Sequence, residues 1–266
     1  MDAKKLFDLT GRVAVVTGGV SGLGHQMAEG MAEFGANLVI ASRRLHKCEE
    51  VCKIFKEKYN IEALALKLDV TSEEDIINLI ARTIEHYGKI DILMNNVGGS
   101  IIGDTILTTL KDWQRIIDLN ITSTFLCCRE AGKHMIKRGY GKIINVASVY
   151  GIIGSDPRNY IDTGKPREAL SYCTSKGAIV NLTRDLGVNW AKYGITVNAI
   201  SPGGFETEAT KDMFSDYCRS KFNYIVPLGR FGSDDDLKGA AVLLASDASK
   251  YIIGQNIIVD GGWSSW

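Results

Sequence analysis

The feature that constrains this chain most is a repeated alternation: a short apolar, β-branched run, a turn, then a longer stretch of helical period. The runs are Val13–Thr17, Asn37–Ala41, Ala63–Leu68, Ile90–Asn95, Lys142–Val146, Thr196–Ile200 and Asn256–Val259. Between them the apolar period predicts helices over Leu23–Phe34, Leu45–Tyr59, Ser72–Tyr87, Leu110–Arg138, Leu170–Tyr193 and Asp234–Ser246. Thr71-Ser72-Glu73-Glu74 is a helix start, with a capping hydroxyl and carboxylates placed against the positive end of the helix dipole. Strands that are apolar almost throughout are buried on both faces, which requires a parallel sheet covered by helices on each side. Right-handed crossovers then leave a single Rossmann-type, doubly wound α/β sheet of about seven strands.

No Pro/Gly/Ser linker or break in composition divides the 266 residues, so residues 1–266 are expected to form one domain. Two stretches depart from the alternation, Gly151–Ala169 and Phe205–Pro227. Both follow strands, on the side where such sheets bind ligands, and they are expected to form a substrate-loop insert near 152–169 and a lid near 205–227. Lys plus Arg and Asp plus Glu balance at 31 each, which leaves no net field to attract nucleic acid or an anionic membrane. The N-terminus runs into Phe7-Asp8-Leu9 without an apolar leader, and no uncharged stretch reaches bilayer length; a cytoplasmic location is the default expectation. Cys48 and Cys52 stand one turn apart on a predicted helix, but no second His or Cys cluster completes a metal site, and ordinary reduced thiols are expected.

The first chemical signal follows the first strand: Thr17-Gly18-Gly19-Val20-Ser21-Gly22-Leu23-Gly24, then a helix. Glycines let the backbone turn sharply and approach a pyrophosphate, and the helix N-terminus offers free N–H groups. The spacing Gly18-xxx-Gly22-x-Gly24 is not the common G-x-G-x-x-G, and taken alone it also reads as a flexible strand-to-helix connection. Its place after the first strand favours dinucleotide binding, with Ser21 and Leu23 inside the turn. At the end of the second strand an acidic residue would bind the ribose hydroxyls, whereas an arginine would pair with a 2′-phosphate. The chain has Ala41-Ser42-Arg43-Arg44 there, so NADP(H) is favoured over NAD(H), with Arg43 as the phosphate contact and Ser42 beside it. The alternative is a pair of solvated arginines opening a surface helix.

Tyr172-Cys173-Thr174-Ser175-Lys176 places Tyr172 and Lys176 at i and i+4, on one face of a predicted helix. A phenol ordinarily titrates near pH ~10, too high for proton transfer at neutral pH. A neighbouring ammonium favours the phenolate and lowers that value toward the working range. Ser148, at the end of the fifth strand, is placed to donate a hydrogen bond to a substrate oxygen. By itself a Tyr–Lys pair at this spacing also describes a surface contact.

Taken together, these residues resemble the short-chain dehydrogenase/reductase family over essentially the whole chain. The match is carried by Thr17-Gly18-xxx-Gly22-x-Gly24, Asp69-Val70, Asn95-Asn96-Val97-Gly98, Asn120, Ser148, Tyr172-xxx-Lys176 and Pro202-Gly203-xxx-Thr207. The resemblance implies a nicotinamide-dependent oxidoreductase that interconverts a secondary alcohol and a ketone. It further implies that Asp69 and Val70 contact adenine, and that Asn96, Val97 and Gly98 line the cofactor groove. Pro202, Gly203, Phe205 and Thr207 would hold the nicotinamide end. Lys176 would also bind the nicotinamide ribose, and Asn120 would position a water in a proton relay through Lys176 to Tyr172. Family members usually assemble as dimers or tetramers through the helices around Leu110–Arg138 and Leu170–Tyr193, so a homo-oligomer is expected. The apolar tail Ile257–Trp266 is compatible with burial against another subunit or against its own core.

Two departures from the family pattern bear on substrate. Its usual Asn-Asn-Ala-Gly reads Asn-Asn-Val-Gly here, a small change of volume. Ser148 and Tyr172 are 24 positions apart, wider than is typical, and the extra residues carry Arg158, Asn159, Tyr160, Lys165 and Arg167. These groups suit a polyol or a carboxylate, unless the insert is a solvated loop away from substrate. The opening Phe7-Asp8-Leu9-Thr10-Gly11-Arg12-Val13 and the ending Tyr251-Ile252-Ile253-Gly254-Gln255 through Asp260-Gly261-Gly262-Trp263 resemble bacterial gluconate 5-dehydrogenases and related sugar or polyol enzymes. The same segments also occur in 3-oxoacyl-carrier-protein reductases. The expectation is therefore a sugar-acid or polyol dehydrogenase acting on a small-molecule carbonyl or alcohol. The alternatives are a ketoreductase for acyl thioesters, steroids or other ketones, and a non-enzymatic NADP-binding regulator.

Overall fold

Strand Val13–Thr17 (β1) is buried at every position, as are Gly141–Val146 (β5) and Ile195–Pro202 (β6). Side chains alternate between the two faces of a strand, so each of these strands feeds two cores. Ala14 and Val16 point to one, packed with Met27, Met31 and Leu244; Val13 and Val15 point to the other, packed with Leu79, Cys128 and Val197. The computed structural model describes residues 2–156, 168–207 and 215–266.

With Asn37–Ser42 (β2), Ala63–Lys67 (β3), Ile92–Asn95 (β4) and Asn256–Val259 (β7), the strands form one parallel sheet in the order β3-β2-β1-β4-β5-β6-β7. The chain order reverses between β1 and β4, which opens a crevice at their carboxyl ends. The register brings Thr17 level with Ala41 and Asn95, and Asn95 level with Asn145, so the residues that follow these strands share one edge.

The helices in chain order are Ala3–Leu6 (α1), Gly22–Glu33 (α2), Leu45–Tyr59 (α3), Glu73–Tyr87 (α4), Leu110–Ile117 (α5), Ser123–Arg138 (α6), Leu170–Trp190 (α7), Asp216–Ile225 (α8) and Lys238–Ala245 (α9). Ser72 caps α4 as expected, its hydroxyl accepting the Asp75 N–H at 3.2 Å. The helix expected over Leu110–Arg138 is instead two helices joined by a π-helical turn at Asp118–Thr122. Apolar periodicity does not register a one-residue widening of the backbone. The expected lid near 205–227 contains α8, and residues 208–214 of it lie outside the described residues. No described helix is long and apolar enough to cross a membrane.

Candidate active site

The turn after β1 has the geometry that could hold an anion. Gly18 and Gly22 hold φ of +71° and +57°, values that favour glycine, and the N-cap Ser21 side chain makes no capping hydrogen bond to α2. The first N–H groups of α2 are therefore not occupied by the Ser21 side chain, and the helix dipole stands behind them. Gly24 is needed for close packing: a Cβ there would lie 2.3 Å from Asn96 Nδ2 and 2.5 Å from the Gly18 carbonyl. Asn96 braces the loop, its Nδ2 donating to the carbonyls of Thr17 and Gly18, both at 3.2 Å. The Thr17 hydroxyl accepts the Asn96 N–H at 3.1 Å.

A groove of about 1160 Å³ runs from this turn along the β1–β2 side. Gly18, Ser21, Ser42 and Arg43 line one part of it; Asp69, Val70, Asn96, Val97 and Gly98 line another. The Ser42 hydroxyl accepts the Arg44 N–H at 3.2 Å, which turns the chain so that both arginines reach the groove. Arg43 is exposed and has no ion-pair partner among the described residues, so its guanidinium can take up an anionic ligand. The Asp69 carboxyl lies below its ordinary range because it accepts from the Thr71 hydroxyl and N–H, at 2.7 and 3.0 Å. Lys111, Gln114 and Arg115, all on α5, also line the groove. Sequence reasoning missed them, since nothing in their spacing distinguishes them from a solvated helix face.

A second cavity, of about 510 Å³, adjoins the groove and is lined by Ser148, Tyr172 and Lys176. Although 24 positions separate Ser148 from Tyr172, the helical turn Val149–Gly151 packs directly on α7. A Cβ at Gly151 would lie 2.8 Å from the backbone carbon and oxygen of Lys176, so only glycine permits this approach. Lys176 is 3% exposed, and burial pulls its amine down to about 8. Its Nζ donates to the Val146 carbonyl at 2.7 Å and lies 5.7 Å from the centre of the Tyr172 ring. Ser148 accepts the Tyr150 N–H at 3.2 Å.

Asn120 sits in the π-helical turn and is fully buried. Its carboxamide accepts the Gly99 N–H at 2.9 Å and donates to the Gly99 carbonyl at 3.0 Å and the Ser175 hydroxyl at 2.8 Å. A Cβ built on Gly98 would be 3.2 Å from both Asn120 Oδ1 and Lys176 Nζ, so the two side chains flank the same glycine.

Gly22, Leu23, Gly203, Phe205 and Thr207 line the second cavity as well. Three of the predicted residues, Gly24, Asn120 and Pro202, line neither space: they lie behind the surface that the others form. Sequence reasoning also missed Tyr150, Phe222 and Trp263, which line the second cavity from three separate segments. Of the insert between Ser148 and Tyr172, Ser155 reaches the cavity; Arg158, Asn159, Tyr160, Lys165 and Arg167 lie outside the described residues.

A family model described as enoyl-(acyl carrier protein) reductase matches residues 18–264. The chain is 36% identical to the NAD-dependent glycerol dehydrogenase of Listeria innocua, over 98% of this chain and 96% of that one. It is 38% identical to the 2-dehydro-3-deoxy-D-gluconate 5-dehydrogenase of Dickeya dadantii, over 97% of both chains. Among solved structures, a gluconate 5-dehydrogenase from Burkholderia cenocepacia in complex with NADP and tartrate superposes with a TM-score of 0.91. That protein is 33% identical, and the match covers the whole of both chains.

Proposed function

The chain belongs to the short-chain dehydrogenase/reductase family of oxidoreductases, and from that premise we propose that it is an NADP(H)-dependent enzyme interconverting a secondary alcohol and a ketone on a sugar acid or polyol. The observation that carries the reaction is the meeting of Ser148, Tyr172 and buried Lys176 in one cavity that opens onto a dinucleotide-sized groove. The residues of that groove fit the cofactor: a glycine turn at a helix N-terminus for the pyrophosphate, and an exposed Arg43 where a 2′-phosphate would lie. When bound, NADP(H) supplies or accepts the hydride.

The chain's own groups manage the proton and the oxygen. In the reducing direction the substrate carbonyl lies between the Tyr172 phenol and the Ser148 hydroxyl, both of which donate hydrogen bonds to it. Tyr172 delivers its proton as negative charge develops on that oxygen. Lys176, held by the Val146 carbonyl, stabilises the phenolate left behind. Asn120 holds Gly99 and thereby the wall beside Lys176, and in this reading its turn carries the water that reprotonates Tyr172 through Lys176.

A hydroxylated substrate is supported by the wall chemistry. Ser100, Ser148, Tyr150, Ser155 and Tyr172 all bring hydroxyl groups to the cavity. Relatives named for gluconate derivatives and glycerol, and a similar structure holding tartrate, agree with this class. The test is oxidation of NADPH, and separately of NADH, across keto-sugar acids, ketoses, β-ketoacyl thioesters and steroid ketones, in the native enzyme and in Arg43→Asp. Turnover of a keto-sugar acid or ketose with NADPH is expected. The variant should lower the NADPH/NADH ratio of kcat/KM by about tenfold to hundredfold, the worth of a charge-assisted phosphate contact. Activity confined to thioesters or steroids overturns the substrate class, and an unchanged ratio overturns the phosphate contact.

A further inference from the structure

Three segments far apart in sequence bring aromatic rings to the cavity that holds Ser148 and Tyr172. Tyr150 comes from the turn after β5, Phe222 from α8, and Trp263 from the last four residues of the chain. The Trp263 ring meets Tyr150 edge to face, with centroids 5.4 Å apart at 77°, and Phe222 likewise, 5.1 Å apart at 78°. Trp263 is 8% exposed, and what remains open lines the cavity.

The turn that carries Trp263 is held rigidly. The Asp260 carboxylate accepts the N–H of Gly262 at 2.9 Å and of Ser264 at 2.7 Å. Gly261 and Gly262 hold φ of +65° and +89°, and a Cβ on Gly262 would lie 3.0 Å from Pro227. Trp266 Nε1 donates to the Ile225 carbonyl at 3.1 Å, which ties the chain end to the end of α8. A rigid indole costs little side-chain entropy when a ligand packs on it.

We propose that Trp263 determines substrate specificity: the small part of its indole left open beside Tyr150 and Phe222 is the apolar platform against which C–H groups of the substrate pack while the serine and tyrosine hydroxyls take its polar face. The ligand class is a compact, ring-shaped or polyhydroxylated molecule with one apolar face. This deepens the proposed sugar or polyol reading but depends on it only for the hydroxyl contacts, since the platform requires only the C–H face. An aromatic surface attracts polarised C–H groups and excludes water from one side of the reacting carbon.

The experiment is steady-state kinetics of Trp263→Ala and Trp263→Phe on whichever ketone the native enzyme turns over best. It is paired with NADPH titration and with substrate-analogue quenching of indole fluorescence in the presence of NADP. For Trp263→Ala we expect KM to rise about tenfold, with kcat falling less than about threefold and the NADPH Kd unchanged. Trp263→Phe should recover most of that KM, and the analogue should quench the native enzyme but not either variant. A KM that stays native while kcat falls, or a parallel loss of NADPH affinity, overturns the proposal and leaves Trp263 a packing residue for α8. Should Trp263→Ala not fold, Trp263→Phe decides by the quenching: near-native KM with quenching lost supports the proposal, and quenching as strong as in the native enzyme overturns it. If the enzyme reduces alicyclic ketones and no hydroxylated ones, the sugar reading fails, while the Trp263 test on those ketones stands on its own.

Discussion

At the residue scale the proposed chemistry rests on one depressed amine and one phenol. Burial of Lys176 at 3% exposure lowers its amine to about 8, so near neutral pH the charged form persists but is easily discharged. That suits a group that both stabilises a phenolate and passes a proton. Its Nζ is fixed by the Val146 carbonyl at 2.7 Å rather than by a carboxylate, so its charge is left to act on whatever occupies the cavity. Tyr172→Phe removes the proposed proton donor and keeps the ring. We expect kcat to fall by about a thousandfold with the NADPH Kd within about twofold of native, measured by single-turnover absorbance and by fluorescence titration. Residual turnover within tenfold of native would mean that another group donates the proton.

At the scale of elements, the site depends on contacts that tolerate no side chain. Gly24 on α2 lies so close to Asn96 that a methyl group would collide with the amide clamping the Gly18 carbonyl. Gly24→Ala must therefore push α2 away from the β4 end or release the clamp, and either change spoils the turn proposed to hold the pyrophosphate. The expected result is a rise of about tenfold or more in NADPH Kd together with a lower Tm, read by titration and calorimetry. Native affinity in the variant would show that the turn binds without the clamp. Gly151 plays the corresponding part against α7: its closeness to the Lys176 backbone is what brings Ser148 to Tyr172. The π-helical turn between α5 and α6 belongs to the same scale, because it rotates Asn120 inward against Gly99 and Ser175.

At the scale of the whole molecule, the two edges of the sheet do different work. The carboxyl edge holds the groove and the cavity, while the amino edge is stitched by charge. Asp91, fully buried ahead of β4, accepts the Val13 N–H at 2.9 Å and pairs with Arg138 at 2.9 Å and Lys89 at 3.1 Å. Arg12 approaches it at 3.9 Å and also reaches Asp247 at 3.2 Å. The cations are about one-third exposed, so water screens part of the loss when their partner is removed. Asp91→Ala should therefore cost about 2–3 kcal/mol, below the usual figure for breaking a fully buried pair, and Asp91→Asn, which keeps an acceptor for Val13, should cost less. Urea midpoints would give these differences. Because the cluster lies at the edge opposite the groove, NADPH affinity should stay native in both variants, and a large loss of affinity would contradict this division of labour.

The alternation of apolar runs and helical periods sufficed for the fold class and for all seven strands, because burial on both faces leaves its mark in each strand separately. The place of the glycine turn after β1, of Arg43 after β2 and of the Tyr172–Lys176 pair beside the groove and cavity was legible for the same reason: each is a short-range pattern fixed by its position after a strand or within one helical turn. Other features were not legible, because they are made by distant segments meeting. The break between α5 and α6, the glycine contact that closes the gap from Ser148 to Tyr172, and the cations of α5 facing the groove have no local signature. The tail was open to two readings, burial against its own core or against another subunit. Packing of Trp263 between Tyr150 and Phe222 assigns that ring to its own chain. Local order is written in neighbouring residues, whereas the wall of a cavity is a sum over segments whose proximity only the packed sheet and helices create.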